Sequence, residues 1–98
     1  MTLQIIVQAT ARRDLADAAA WYEASRQGLG VSFTAAVRSV FTDAATTPNR
    51  FPRVKGETRL GLVGGFPFGV YFRAEPGRIL VIAVFPTSRD PKGWQSRT

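Results

Sequence analysis

The chain is expected to fold as an α+β domain of element order β-α-α-β-β-β, a mostly antiparallel sheet with an α-helical hairpin packed on one face. Three observations predict this. Apolar residues recur at helical spacing in two stretches of the first half, joined by Gly28-Leu29-Gly30. After Pro52 the period becomes extended, and a continuous apolar run, Ile79 to Phe85, marks a central strand. With 98 residues, 45% of them hydrophobic, the chain can bury one core and has no room for a second, so residues 1–98 are read as a single domain.

Each element has its own signal. Leu3 to Gln8 contains Ile5, Ile6 and Val7, three β-branched residues in a row, and reads as the first strand. Thr10 is placed to cap a helix of about four turns, with Asp14 in the first turn where the helix dipole favours an acid. Leu15, Ala18, Ala19 and Tyr22 form its apolar stripe, and Trp21 lies beside that stripe. The Gly28-Leu29-Gly30 turn ends it, because glycine accepts the left-handed backbone of a helix C-cap. Phe33, Val37, Val40, Phe41 and Ala44 continue at helical spacing until Pro48 stops the second helix. Strands are then expected at Thr58 to Val63, Phe68 to Ala74 and Arg78 to Phe85, with Glu75-Pro76-Gly77 turning between the last two. Pro86 to Thr98 reads as a polar, basic tail interrupted by Trp94.

The chain contains no Cys and no His. Disulfides, thiolate nucleophiles, thiolate-metal sites and imidazole bases are therefore excluded, and neither a metal nor a cofactor is expected. Gly61-Leu62-Val63-Gly64-Gly65 lacks the lysine of a phosphate loop and lies between strands, so it reads as a turn or bulge. The N-terminus has no basic leader, and Ile79 to Phe85 is too short to span a bilayer, so a cytoplasmic protein without membrane contact is expected.

Charge is distributed unevenly. Residues 1–49 carry four arginines against four acids, whereas residues 50–98 carry nine bases against three acids, so the whole net charge of +6 belongs to the second half. Eleven of the thirteen bases are arginine, whose planar fork suits carboxylate or phosphate. An acidic partner is implied, and composition leaves open whether that partner is protein or nucleic acid.

Asp14-Leu15, Trp21-Tyr22-Glu23, Gly28-Leu29-Gly30, Phe33, Pro48, Phe51-Pro52, Arg59, Phe66-Pro67-Phe68-Gly69-Val70-Tyr71, Ala83-Val84-Phe85 and Ser88-Arg89-Asp90-Pro91 with Trp94 together resemble the RelE/ParE toxin superfamily, the plasmid stabilisation proteins. The matches run from about residue 5 to residue 97. The resemblance implies the toxin of a type II toxin–antitoxin system, neutralised by a cognate acidic antitoxin with which it forms a hetero-oligomer. It also implies one of two activities. RelE-like members cleave mRNA in the ribosomal A site with basic residues and a C-terminal Tyr, whereas ParE-like members inhibit DNA gyrase.

Carried over to this chain, the ribonuclease set is incomplete. Arg59 meets the first basic position, the next falls on Gly61, and the arginine of the following strand falls near Gly69. Trp94 stands where the Tyr should be, and indole cannot act as acid or base. Many ParE-like relatives carry a His where this chain has Pro86. The expectation is therefore a ParE-like gyrase inhibitor that binds without catalysis. Arg59, Arg89, Trp94 and Arg97 are its candidate target-binding residues, and Trp21, Arg73 and Arg78 its candidate antitoxin-binding residues. The first alternative is a ribosome-dependent endoribonuclease using Arg59, Arg73 and Arg89. The second is an inactive or antitoxin-bound remnant acting only as a binding module.

Overall fold

The computed structural model describes residues 2–98. Strand β1 (Gln4–Val7) leads into helices α1 (Ala9–Ser25) and α2 (Leu29–Thr46), followed by a 3-10 turn at Pro48–Arg50. Strands β2 (Arg53–Lys55), β3 (Thr58–Leu62), β4 (Phe68–Glu75) and β5 (Arg78–Pro86) follow, and a short helix α3 (Lys92–Gln95) ends the chain. The sheet order is β1-β5-β4-β3-β2, parallel at β1/β5 and antiparallel at every other pairing. This is the expected α+β architecture, with the hairpin of α1 and α2 on one face.

The stripe read from the sequence forms the core. Phe33, Val37, Val40, Phe41 and Ala44 of α2 are all buried, and they meet Val70 and Phe72 of β4 and Ile79, Val81 and Val84 of β5. Phe33 is fully buried, and its ring lies within 5.1 Å of the rings of Tyr22, Phe66 and Phe68, at tilted or edge-on angles that suit aromatic quadrupoles. Tyr22 thus belongs to the core stripe as expected. Gly28, at φ 87°, takes the left-handed conformation that turns α1 into α2.

Three local expectations are corrected, and one feature is added to them. First, α1 begins at Ala9 after Gln8, without any side-chain cap, so Thr10 lies inside the first turn rather than before it. Asp14 consequently falls beyond that turn and finds a different partner, described below. Second, β2 was not expected; it is three residues long and pairs irregularly with β3. Third, the tail is not simply polar, because α3 folds back onto the sheet. The added feature is that the sheet has two apolar faces. Opposite the helices, Tyr71, Ile82, Ala83 and Phe85 form a second small core with Trp94, flanked by Leu60.

Candidate functional site

Strand alternation assigns the basic residues to faces. On β3, Arg59 and Gly61 point toward the helices. Arg59 donates to the Phe51 carbonyl at 2.6 Å and to Asn49 Oδ1 at 3.4 Å, so it ties the 3-10 turn to the sheet. A Cβ on Gly61 would lie 2.6 Å from Val40 Cγ1, and one on Gly69 would lie 2.4 Å from Leu60 Cδ1. Both glycines are therefore close-packed, and a side chain at either position would have to displace Val40 or Leu60.

Arg73 occupies the opposite face, level with Thr58 and Leu80. It shares Glu75 with Arg78, at 3.6 Å and 2.8 Å respectively, and its Nε is buried without a partner. Arg89 lies beyond β5, exposed, with its guanidinium 4.9 Å from the centre of the Phe85 ring. Arg59, Arg73 and Arg89 therefore sit on the helix side, the far side and beyond the end of β5, and do not converge on one point.

Trp94 is only 4% exposed. Its ring stacks on Tyr71 with centroids 4.3 Å apart and planes at 20°. The neighbouring Gly93 makes this fit possible, since a Cβ there would meet the Phe85 ring at 2.6 Å. Expected on the target-binding surface, the indole is instead turned inward. Burial pushes the Tyr71 hydroxyl above the ordinary phenol range.

A group whose pKa is higher folded than unfolded contributes stability in full below the unfolded value and loses it as pH rises through the folded one. The unfolded value here is the ordinary 10.0. The urea midpoint should accordingly begin to fall as pH rises past that value, and Tyr71→Phe should show a smaller fall over the same rise. Equal losses in the two proteins would remove Tyr71 as the cause.

Arg97 was expected to face a target, but it closes the molecule. Its guanidinium donates to both Asp14 oxygens, at 2.6 Å and 3.2 Å, and to the Ile82 carbonyl at 3.3 Å. The same carboxylate accepts the Val84 N–H at 3.1 Å. That N–H lies past the end of β1, whose last residue, Val7, is level with Val81, so Asp14 takes the place of a missing neighbouring strand. One acid on α1 thus fixes β5 and the C-terminal segment together, a role that sequence spacing did not signal.

Beside this closure a cleft of about 430 Å³ opens between α1 and the ends of β4 and β5. Asp17, Trp21, Phe68, Phe85 and Arg89 line it. Trp21 is 67% exposed, so it is available to a partner while Tyr22, beside it, is packed. Of the residues expected at a binding surface, Trp21 and Arg89 therefore share one opening, while Arg59, Trp94 and Arg97 are engaged within the fold.

The description of the family model that matches residues 5–91 is "ParE toxin of type II toxin-antitoxin system, parDE". The chain belongs to the ParE toxin family. A solved chain of the chromosomal ParDE TA system from P. aeruginosa shares the fold, with a TM-score of 0.74 at 12% identity over 87% of this chain and 96% of that one. No curated protein matches. The family match makes the protein a ParE-type toxin, and the solved chain shows the shared fold. Among the described residues, no helix is long and apolar enough to cross a membrane.

Proposed function

We propose that this ParE-family chain inhibits DNA gyrase in the cytoplasm by binding it, without bond-breaking chemistry of its own, and that a cognate acidic antitoxin neutralises it. The observation that carries this reading is the state of the surface where a ribonuclease needs its proton-transfer group. RNA cleavage by a ribose hydroxyl requires a group to take that proton, and general acid–base help is worth about 10²–10⁴-fold. Here Trp94 lies flat on Tyr71, the hydroxyl beneath holds its proton more tightly than a free phenol, and Gly61 and Gly69 are packed against neighbours. Arginine remains protonated and makes a poor base.

Arg89 and Trp21 are the exposed groups suited to protein contact. Tryptophan and arginine are enriched among residues that dominate interface energetics. The test is a supercoiling assay with purified gyrase. Wild-type protein should inhibit it, and Arg89→Ala should raise the half-inhibitory concentration roughly tenfold, the scale of one interface anchor. If Arg89→Ala inhibits as well as wild type, Arg89 is not part of the target surface.

The antitoxin is expected to carry the carboxylates that this basic chain lacks. Arg73 and Arg78 share the single Glu75, so they retain one uncompensated positive charge between them on the far face of the sheet. With Trp21, they are the residues proposed to meet it.

A further inference from the structure

Helix α1 carries Asp17 and Trp21 one turn apart, so the carboxylate and the indole are neighbours on one face of the helix. That face borders the cleft of about 430 Å³ described above, and Phe68, Phe85 and Arg89, from the ends of β4 and β5, border it from the sheet side. The volume falls in the range of about 300–1,000 Å³ typical of small-molecule sites. The exposed Trp21 ring stands edge-on to Tyr22 with centroids 5.1 Å apart, and Tyr22 is packed into the core, so the indole is held in place while its surface stays open.

Charge at this cleft is only half neutralised within the fold. Asp14 lines it and is taken by Arg97. Asp17 and Arg89 line it too, both exposed, and neither is ion-paired among the described residues, with the other or with any further group. The Arg89 guanidinium rests 4.9 Å from the centre of the Phe85 ring, an attraction that favours its place at the rim. An acid and a base that border one opening without closing on each other leave room for a ligand that donates to the first and carries an anion to the second.

We propose that this cleft binds a guanine nucleotide. The base stacks on the Trp21 indole, its N1–H and N2–H donate to the Asp17 carboxylate, and its phosphate accepts from Arg89. Each part of the ligand answers one feature of the wall. An open indole face selects a flat π-ring. An ionised carboxylate only accepts, and among the common bases guanine alone presents two adjacent donors on one edge. A planar guanidinium fork matches phosphate. An arginine side chain of a protein partner also presents two parallel donors, but it would bring a second positive charge into the cleft and leave Arg89 without an anion. The assignment goes beyond the toxin reading and does not rest on it, since it concerns a small ligand rather than a protein partner.

The experiment titrates the purified chain with GMP, AMP, guanosine and N-acetyl-arginine amide and reads tryptophan fluorescence. Trp94 is enclosed, so quenching by a stacked base reports on Trp21, and Trp21→Phe should abolish it. GMP should saturate the signal at a concentration about tenfold lower than AMP. Asp17→Asn should reverse that order, because an amide offers one acceptor beside one donor, the pattern that adenine matches. Arg89→Ala should weaken GMP about tenfold and leave guanosine, which has no phosphate, as in wild type. Asp17 and Arg89 are both exposed, so neither change disturbs the core. A thymine-only single strand carrying one guanine distinguishes the sources. Tighter binding than GMP assigns the site to an unpaired base in a strand, and equal or weaker binding to the free nucleotide. No saturable quenching by GMP or by that strand, or midpoints that are equal for GMP, AMP and the arginine amide, overturns the site and leaves the toxin reading standing.

Discussion

Replacing Asp14 with alanine is expected to lower the stability of the folded chain by about 2–3 kcal/mol, a large share of what a domain of this size possesses. Two losses combine. Arg97 is left without its bidentate partner, and the Val84 N–H, which lies past the end of β1, loses Asp14 as its acceptor. Breaking a fully buried pair costs about 3–5 kcal/mol, and the figure here is reduced because the Asp14 and Arg97 side chains retain 15% and 22% exposure. Removing Arg97 instead should cost about half as much, since Asp14 keeps the Val84 hydrogen bond. In a thermal melt the Asp14→Ala midpoint should fall roughly 10–20 °C. Equal midpoints for Asp14→Ala and Arg97→Ala would mean that the bond to Val84 contributes nothing.

Trp94→Ala should be at least as damaging, at about 3–4 kcal/mol, because it empties the second core and exposes the Tyr71 ring on which the indole stacks. Trp94→Phe keeps an aromatic ring over Tyr71 and should recover more than half of that loss. Limited proteolysis gives an independent readout. In Trp94→Ala, residues 87–98 should be cut well before the rest of the chain, since the segment then loses its one buried large side chain and keeps mainly polar ties such as Arg97 on Asp14 and Lys55 on the Gln95 carbonyl. A Trp94→Ala protein with the wild-type urea midpoint and an uncut tail would show that α3 does not close the far face.

The long elements were legible because each repeats its signal. Phe33, Val37, Val40, Phe41 and Ala44 give five independent marks of one helix face, and all five are buried. What escaped has no period. Strand β2 is three residues and α3 four, too short for either to show a repeat, and a lone Trp94 in a basic tail looks like a surface anchor. The role of Asp14 was missed for a related reason. Its partner lies 83 residues away, and only the folded chain brings them together. The missing bases at Gly61 and Gly69 were visible as absences, but their cause, contact with Val40 and Leu60, is three-dimensional.

Charge counting misled in the same way. The first half sums to zero, yet Asp14 is taken by Arg97 and Glu23 by the backbone N–H groups of Gly28 and Gly30, which leaves Arg12 and Arg38 uncompensated. In the second half, Arg59 and Arg97 looked available, and both are engaged in holding the fold together.

The most direct test of binding without catalysis pairs two assays of the same purified protein. Gyrase supercoiling is measured alongside cleavage of mRNA on programmed ribosomes. Supercoiling inhibited in a concentration-dependent way, with mRNA left intact at the same concentrations, is the predicted result. Clean cleavage in the ribosomal A site that disappears in Arg59→Ala or Arg89→Ala, with supercoiling unaffected, would contradict it and make this chain a ribonuclease.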